Sequence, residues 1–317
     1  MPRANSAIGD GGERRPQTVN ALRARFVDYE YRDEIPAGDQ AGLLIRLLDL
    51  YESKSDEGKG LLPGGRPKAL CNVCPNADEC WAGAKRAACR EPRSRAGGED
   101  DENGAICLPW VGPKYEVGGV VVVGINPNVS PDDYTDLLTE HGISWDYVSQ
   151  FRLARRARGG SRFGFGAMRS AAALLDVLDG QRPRDRQNPI ELVPAVLRTA
   201  RLQAVKCVPV QPRSRPYAAM WKHCPPFVLG DELDVLRPGT LLGLGDKTHG
   251  AITQVGDFEK FSGRVKNVTS GLLRRPGWDA PALVYMLPHP QDGSVAVEAE
   301  AALVRLLQRQ QKNPRSS

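Results

Sequence analysis

The chain has 317 residues, 41% of them hydrophobic, with 33 glycines and 25 prolines and a formal net charge of +5. That length and apolar content suit one large domain, or one domain with additions. A mild positive charge permits a polyanionic partner. No apolar run reaches the roughly 20 residues that cross a bilayer, so a membrane partner is not expected.

The first residues, MPRANSAIGDGGERRP, contain no hydrophobic core, so no secretion signal is read there. The reading is a cytoplasmic protein. Its seven cysteines are then expected as reduced thiols, metal ligands or catalysts, and not as disulfides.

Along the chain, residues 1–68 read as an extension. Its first 20 residues look disordered, AGLLIRLLDLYE (41–52) has helical spacing, and GKGLLPGGRPK (58–68) is a loop. The main domain is read as 69–312, and 313–317 as a disordered tail. It begins with a cysteine-rich insertion, 69–107, that holds Cys71, Cys74, Cys80, Cys89 and Cys107 and ends in a polar linker, EPRSRAGGEDDENG (91–104). Beyond it, strands are expected at GGVVVVG (118–124), RLQAVKCV (201–208), GTLLGLG (239–245) and PALVYML (281–287). Helical patterns stand between and after them: DDYTDLLTEHG, GAMRSAAALLDVLDG, PIELVPAVLRTA, PPFVLGDELDVLRP, DKTHGAITQV and VAVEAEAALVRLLQRQQ (295–311). Apolar, β-branched strands alternating with helices predict an α/β fold. The expected form is a three-layer α/β/α sandwich around a central four-stranded parallel sheet.

In such sheets the site lies outside the carboxyl ends of the strands. The first strand runs into Gly124-Ile125-Asn126-Pro127-Asn128, the second ends in Lys206-Cys207, the third leads to Gly245-Asp246-Lys247, and the fourth to Pro288-His289-Pro290. Asn126 and His289 are thus expected on one crevice, each beside prolines that restrict its loop.

These residues resemble the uracil-DNA glycosylase superfamily. GINPN (124–128) resembles the first signature loop, closest to the GINPG of the mismatch-specific uracil and thymine glycosylases, and LPHPQ (287–291) resembles the second. AVKCVPVQPRSRP, HCPPFVL and VLRPGTLLGLG follow, in order, the middle motifs of the iron–sulfur uracil glycosylases. The likeness covers roughly residues 70–75 and 115–290.

The resemblance implies a DNA glycosylase that flips a base from the stack and breaks its N-glycosidic bond. Asn126 matches the residue that places water, and His289 the donor to the leaving base. Each could also be an ordinary turn residue. Phe163 or Phe165, in GGSRFGFGAMRS, matches the ring that stacks on the base; the alternative is that both belong to the core. Gln203 stands where the iron–sulfur relatives carry an Asn that reads the uracil edge, and Asn128 replaces the last Gly of GINPG. Both departures leave room for a modified pyrimidine, including a bulky modified cytosine of phage DNA. No lysine matches a nucleophile in either loop, so the implied enzyme is monofunctional, in repair or in defence against phage. Arg155, Arg156, Arg158 and Arg162, in a segment with no acid, together with Arg213 and Arg215, are expected on DNA phosphates; a solvated basic face is the alternative.

By the same resemblance Cys71, Cys74, Cys207 and Cys224 would hold a 4Fe-4S cluster. The local spacing alone also allows a zinc ion on Cys71, Cys74, Cys80 and Cys89. Cys107 has no assigned role. A monomer is expected. The competing function is a metal-containing DNA-binding module of the same fold without the chemistry.

Overall fold

The computed structural model describes residues 110–112, 114–125, 162–184, 189–206, 216–261, 265–290 and 294–312, with 43, 46, 47, 50, 53, 54, 76, 79 and 80. Element order is β1 (Trp110–Val111), β2 (Val120–Gly124), α1 (Arg162–Leu178), a 3-10 turn (Pro189–Leu192), α2 (Val193–Arg198) and β3 (Thr199–Gln203). Then come α3 (Ala218–Cys224), a π turn (Pro225–Leu229), α4 (Gly230–Leu236), β4 (Thr240–Leu244) and α5 (Asp246–Gln254). The chain closes with β5 (Asp257–Lys260), β6 (Thr269–Arg274), β7 (Ala282–Leu287) and α6 (Ser294–Lys312). Together these form a mixed α/β fold on a mostly parallel central sheet.

Among the described residues the sheet has seven strands in the order β1-β3-β2-β4-β7-β6-β5, not four. The four expected strands are its parallel centre: β3, β2, β4 and β7 pair in parallel, and β1, β6 and β5 add antiparallel edges. The sequence hid the edges for physical reasons. β1 has two residues, and β5 (DFEK) is largely exposed, so neither carries an apolar run. A second correction concerns β3, which starts at Thr199 and stops at Gln203, whereas RLQAVKCV was expected to run to 208. Lys206 therefore lies beyond the strand, Cys207 lies outside the described residues, and α2 gives up Thr199 and Ala200 to β3.

Every residue of β2 and of β4 is buried, as strands covered on both faces require. Side chains alternate across the sheet. Val120, Val122, Leu242, Leu244 and Leu287 pack with α1 and α6. Val121, Val123, Leu202, Leu241 and Met286 pack with α4 and α5, and Leu43 and Leu47 join that second core. Each such side chain contributes about 1.5–3 kcal/mol by leaving water.

The helix run 218–236 changes pitch at Pro225-Pro226. Neither proline has an N–H to give, so the regular ladder fails there and Gly230 N–H reaches Pro225 O one residue further back. α4 then ends at Arg237 in the left-handed region, φ 44°, ahead of Pro238. Arg275, in the turn after β6, makes paired bonds of 2.7 and 2.6 Å to Asp234 of α4, and Trp278 adds a third at 2.8 Å. The antiparallel edge is thereby tied to the helical face. Among the described residues no helix is long and apolar enough to cross a membrane.

Candidate functional site

The carboxyl ends of β2, β3, β4 and β7 share one rim because the strands are parallel. Gly124 pairs with Gln203, Val123 with Gly243, and Leu244 with Leu287. Beyond the strands, Ala204 N–H donates to Gly124 O at 2.8 Å and Val205 N–H to Ile125 O at 2.9 Å. Ile125 is the last described residue of this exit. The next residue, Asn126, and Asn128 lie outside the described residues.

Gly245 is the meeting point of three exits. Its φ of +96° is open to glycine and strained for other residues. Its N–H donates to Leu287 O at 2.7 Å. A Cβ there would stand 3.4 Å from Ile125 Cδ1 and 3.6 Å from His289 Cβ. Half-buried His289 and the residue before Asn126 are thus neighbours across this glycine. α1 reaches the same place: a Cβ on Gly166 would fall 2.8 Å from Pro290 Cβ, too close for any side chain. Phe163 and Phe165 belong to the first turn of α1, three residues and one residue before Gly166. Their side chains lie outside the described residues.

Gln203 ends β3. Its neighbours Ala200 and Leu202 face the α4–α5 side, so alternation turns Gln203 toward the α1 side. It is 6% exposed, and its Oε1 is buried with no hydrogen-bond partner among the described residues. An unpaired buried acceptor costs about 1–3 kcal/mol, so it is a place where a ligand N–H gains most. The N-termini of α1 and α5 lie at this rim as well, and their partial positive charge favours negative charge there.

Sequence reasoning missed His249. It lies on α5, half-buried, with Nε2 3.1 Å from Leu287 O. Burial holds its imidazole below the ordinary histidine pKa; the bond to Leu287 and the charge of Asp246 act in the opposite direction. The available signal was a histidine in the helix opened by Gly245.

On the cysteine side, Cys224 ends α3 with its side chain buried. Lys206 N–H donates to its Sγ at 3.2 Å, so Cys224 abuts the backbone one residue before Cys207. Lys206 Nζ forms an ion pair with Glu232 Oε2 at 2.6 Å, and the two side chains are 1% and 0% exposed. Glu79, next to buried Cys80, meets Lys222 Nζ at 3.0 Å and His223 Nε2 at 2.9 Å. Its carboxyl is held below the usual range by His223 first and Lys222 second. Glu79 of the cysteine-rich stretch therefore meets the last turn of α3, which ends in Cys224.

Cys71, Cys74, Cys89, Cys107 and Cys207 lie outside the described residues; among those described, no three His, Cys, Asp or Glu side chains are placed to hold a metal. Arg155, Arg156, Arg158, Arg213 and Arg215 also lie outside them, and Arg162 is described only as the first residue of α1. No protein-family model matches the sequence, and no curated protein matches it.

Proposed function

We propose that the protein is a monofunctional DNA glycosylase acting on a flipped pyrimidine, uracil or a modified cytosine, in repair or in defence against phage DNA with modified bases. The observation that carries this reading is the rim around Gly245. There the exits toward Asn126 and His289 meet near Gln203, whose buried acceptor has no partner among the described residues. Three-layer α/β/α packing would be the scaffold that holds this rim rigid.

In the proposed reaction Asn126 holds a water against C1′ of the target sugar. The C1′–N bond breaks with its electron pair leaving on the base. The water oxygen bonds to C1′ and its proton passes to solvent. His289 donates a hydrogen bond to the base oxygen on which negative charge grows, and the positive ends of α1 and α5 assist. An amide cannot remove a proton strongly, so Asn126 positions water instead of activating it. The acceptor of Gln203 selects an N–H of the base edge, and Phe163 or Phe165 stacks on the base. Arg155, Arg156, Arg158, Arg162, Arg213 and Arg215 neutralise phosphates. The working form is a cytoplasmic monomer on DNA.

Cys71, Cys74, Cys207 and Cys224 would hold a 4Fe-4S cluster. The donor chemistry fits: Cys224 Sγ is buried and accepts an N–H from Lys206, which stabilises a thiolate. The chemistry a cluster supplies here is structural, joining the 71–74 segment to the ends of β3 and α3. A zinc ion on Cys71, Cys74, Cys80 and Cys89 would join the same segment to itself.

The test is abasic-site formation on oligonucleotides with uracil, thymine opposite guanine, 5-hydroxymethylcytosine or its glucosylated form. Wild type should release one of these bases. Asn126→Ala should reduce release by on the order of 10²-fold or more with DNA affinity unchanged. DNA binding without release from any substrate would replace the enzyme by the binding-module reading.

A further inference from the structure

The exit of β7 is held from the side by a histidine that the proposed reaction does not use. Leu287 O accepts two hydrogen bonds, from Gly245 N–H at 2.7 Å and from the His249 ring at 3.1 Å. A carbonyl only accepts, so His249 Nε2 must carry the proton. The ring also lies against β4: a Cβ on Gly243 would be 3.8 Å from its Cδ2. His249 thus spans from α5, across β4, to the last carbonyl of β7.

Two residues later comes His289, between Pro288 and Pro290. Each proline fixes its own φ, so little torsional freedom separates the Leu287 carbonyl from the His289 side chain. Pro290 is further packed against Gly166 of α1. The loop is clamped at one end by His249 and Gly245 and at the other by α1.

We infer that His249 is a positioning residue: its Nε2–H fixes the Leu287 carbonyl and thereby the orientation in which His289 is presented to the rim. The catalytic consequence rests on the proposed role of His289; the placement of the loop does not. Burial favours the neutral ring, which leaves Nδ1 without a proton and Nε2–H as the sole donor.

The test uses the full-length protein with His249→Leu, which removes the donor, and His249→Gln, whose amide N–H replaces Nε2–H. 15N-detected imidazole spectra of wild type should show His249 as the Nε2–H tautomer. The His289 signals should move in His249→Leu and return in His249→Gln. On the substrate that wild type processes, His249→Leu should lower kcat by on the order of 10²-fold, the cost of misplacing a catalytic group by about 1 Å, with KM for DNA unchanged. His249→Gln should restore most of it. An Nδ1–H tautomer, or unmoved His289 signals in His249→Leu, would overturn the inference. If His249→Leu does not fold, the wild-type tautomer and the His249→Gln spectrum decide. If wild type releases no base, the glycosylase reading fails and the spectra still decide the placement.

Discussion

At the scale of single residues, Gln203 is where the stability and the proposed function of this protein pull apart. A side chain 6% exposed with an acceptor unpartnered among the described residues lowers the stability of the fold, and a ligand N–H would remove that cost. Gln203→Met keeps nearly the same volume and deletes the acceptor. Its urea midpoint is expected at or above that of wild type, while base release falls about 5- to 30-fold, the loss of one hydrogen bond worth about 1–2 kcal/mol in the bound state. A lowered midpoint with unchanged base preference would make Gln203 a structural residue. The same residue marks how far the sequence could be read. Its place at a strand end follows from alternation and spacing. Its lack of a partner depends on what α1 and β2 do not offer, and no local pattern reports that. His249 was silent for a similar reason: its partner is 38 positions away on a backbone carbonyl, an atom every residue has.

At the scale of elements, the legible part was the apolar centre. β2, β4 and β7 announced themselves because strands buried on both faces must be apolar throughout. The antiparallel edge did not, because β5 faces water and β6 spends a glycine, Gly271, where the β5 backbone and the Phe258 ring come close. The end of β3 was misread because AVKCV looks like a strand. In the structure Ala204 and Val205 stay on the ladder toward the β2 exit, and then Lys206 turns inward to Glu232. That ion pair joins the β3 exit to α4 in a site closed to water. Breaking it strands one charge. Lys206→Met alone should cost about 3–5 kcal/mol, whereas Lys206→Met with Glu232→Leu should recover most of that loss. A double-mutant cycle in urea reads the difference. If the double variant is as unstable as the sum of the singles, the two side chains act separately and the lysine serves the Cys224 side instead.

At the scale of the whole molecule, the question is whether the N-terminal extension is an appendage or a part of the core. Its composition reads as an appendage: a disordered start, one short helical pattern and a glycine- and proline-rich loop. The structure places Leu43 at 0% and Leu47 at 1% exposure within the α4–α5 core. Lys54 forms an ion pair with Asp231 of α4 at 2.5 Å and lies 5.1 Å from the centre of the Phe227 ring. The ion pair is partly exposed and contributes at most about 1 kcal/mol, so the two leucines must carry the docking. Leucines spaced four apart present one face of a helix, which is how a single short helix can seal a patch of the sheet's second face. Leu43→Ala and Leu47→Ala should each cost about 2–5 kcal/mol, from lost transfer energy and the cavity left behind. An extension that only rested on the surface would show changes within about 0.5 kcal/mol. The cooperativity of unfolding separates the two cases further. A docked helix shares the core and melts with it in one urea transition, with the slope of the full chain. A separable extension would leave first, and the remaining transition would show the wild-type midpoint. Because α4 also carries Glu232, whose partner Lys206 precedes Cys207, loosening this helix should weaken the β3 exit too. The two leucine variants are therefore expected to be sub-additive with Lys206→Met if the extension is part of the frame that holds the rim.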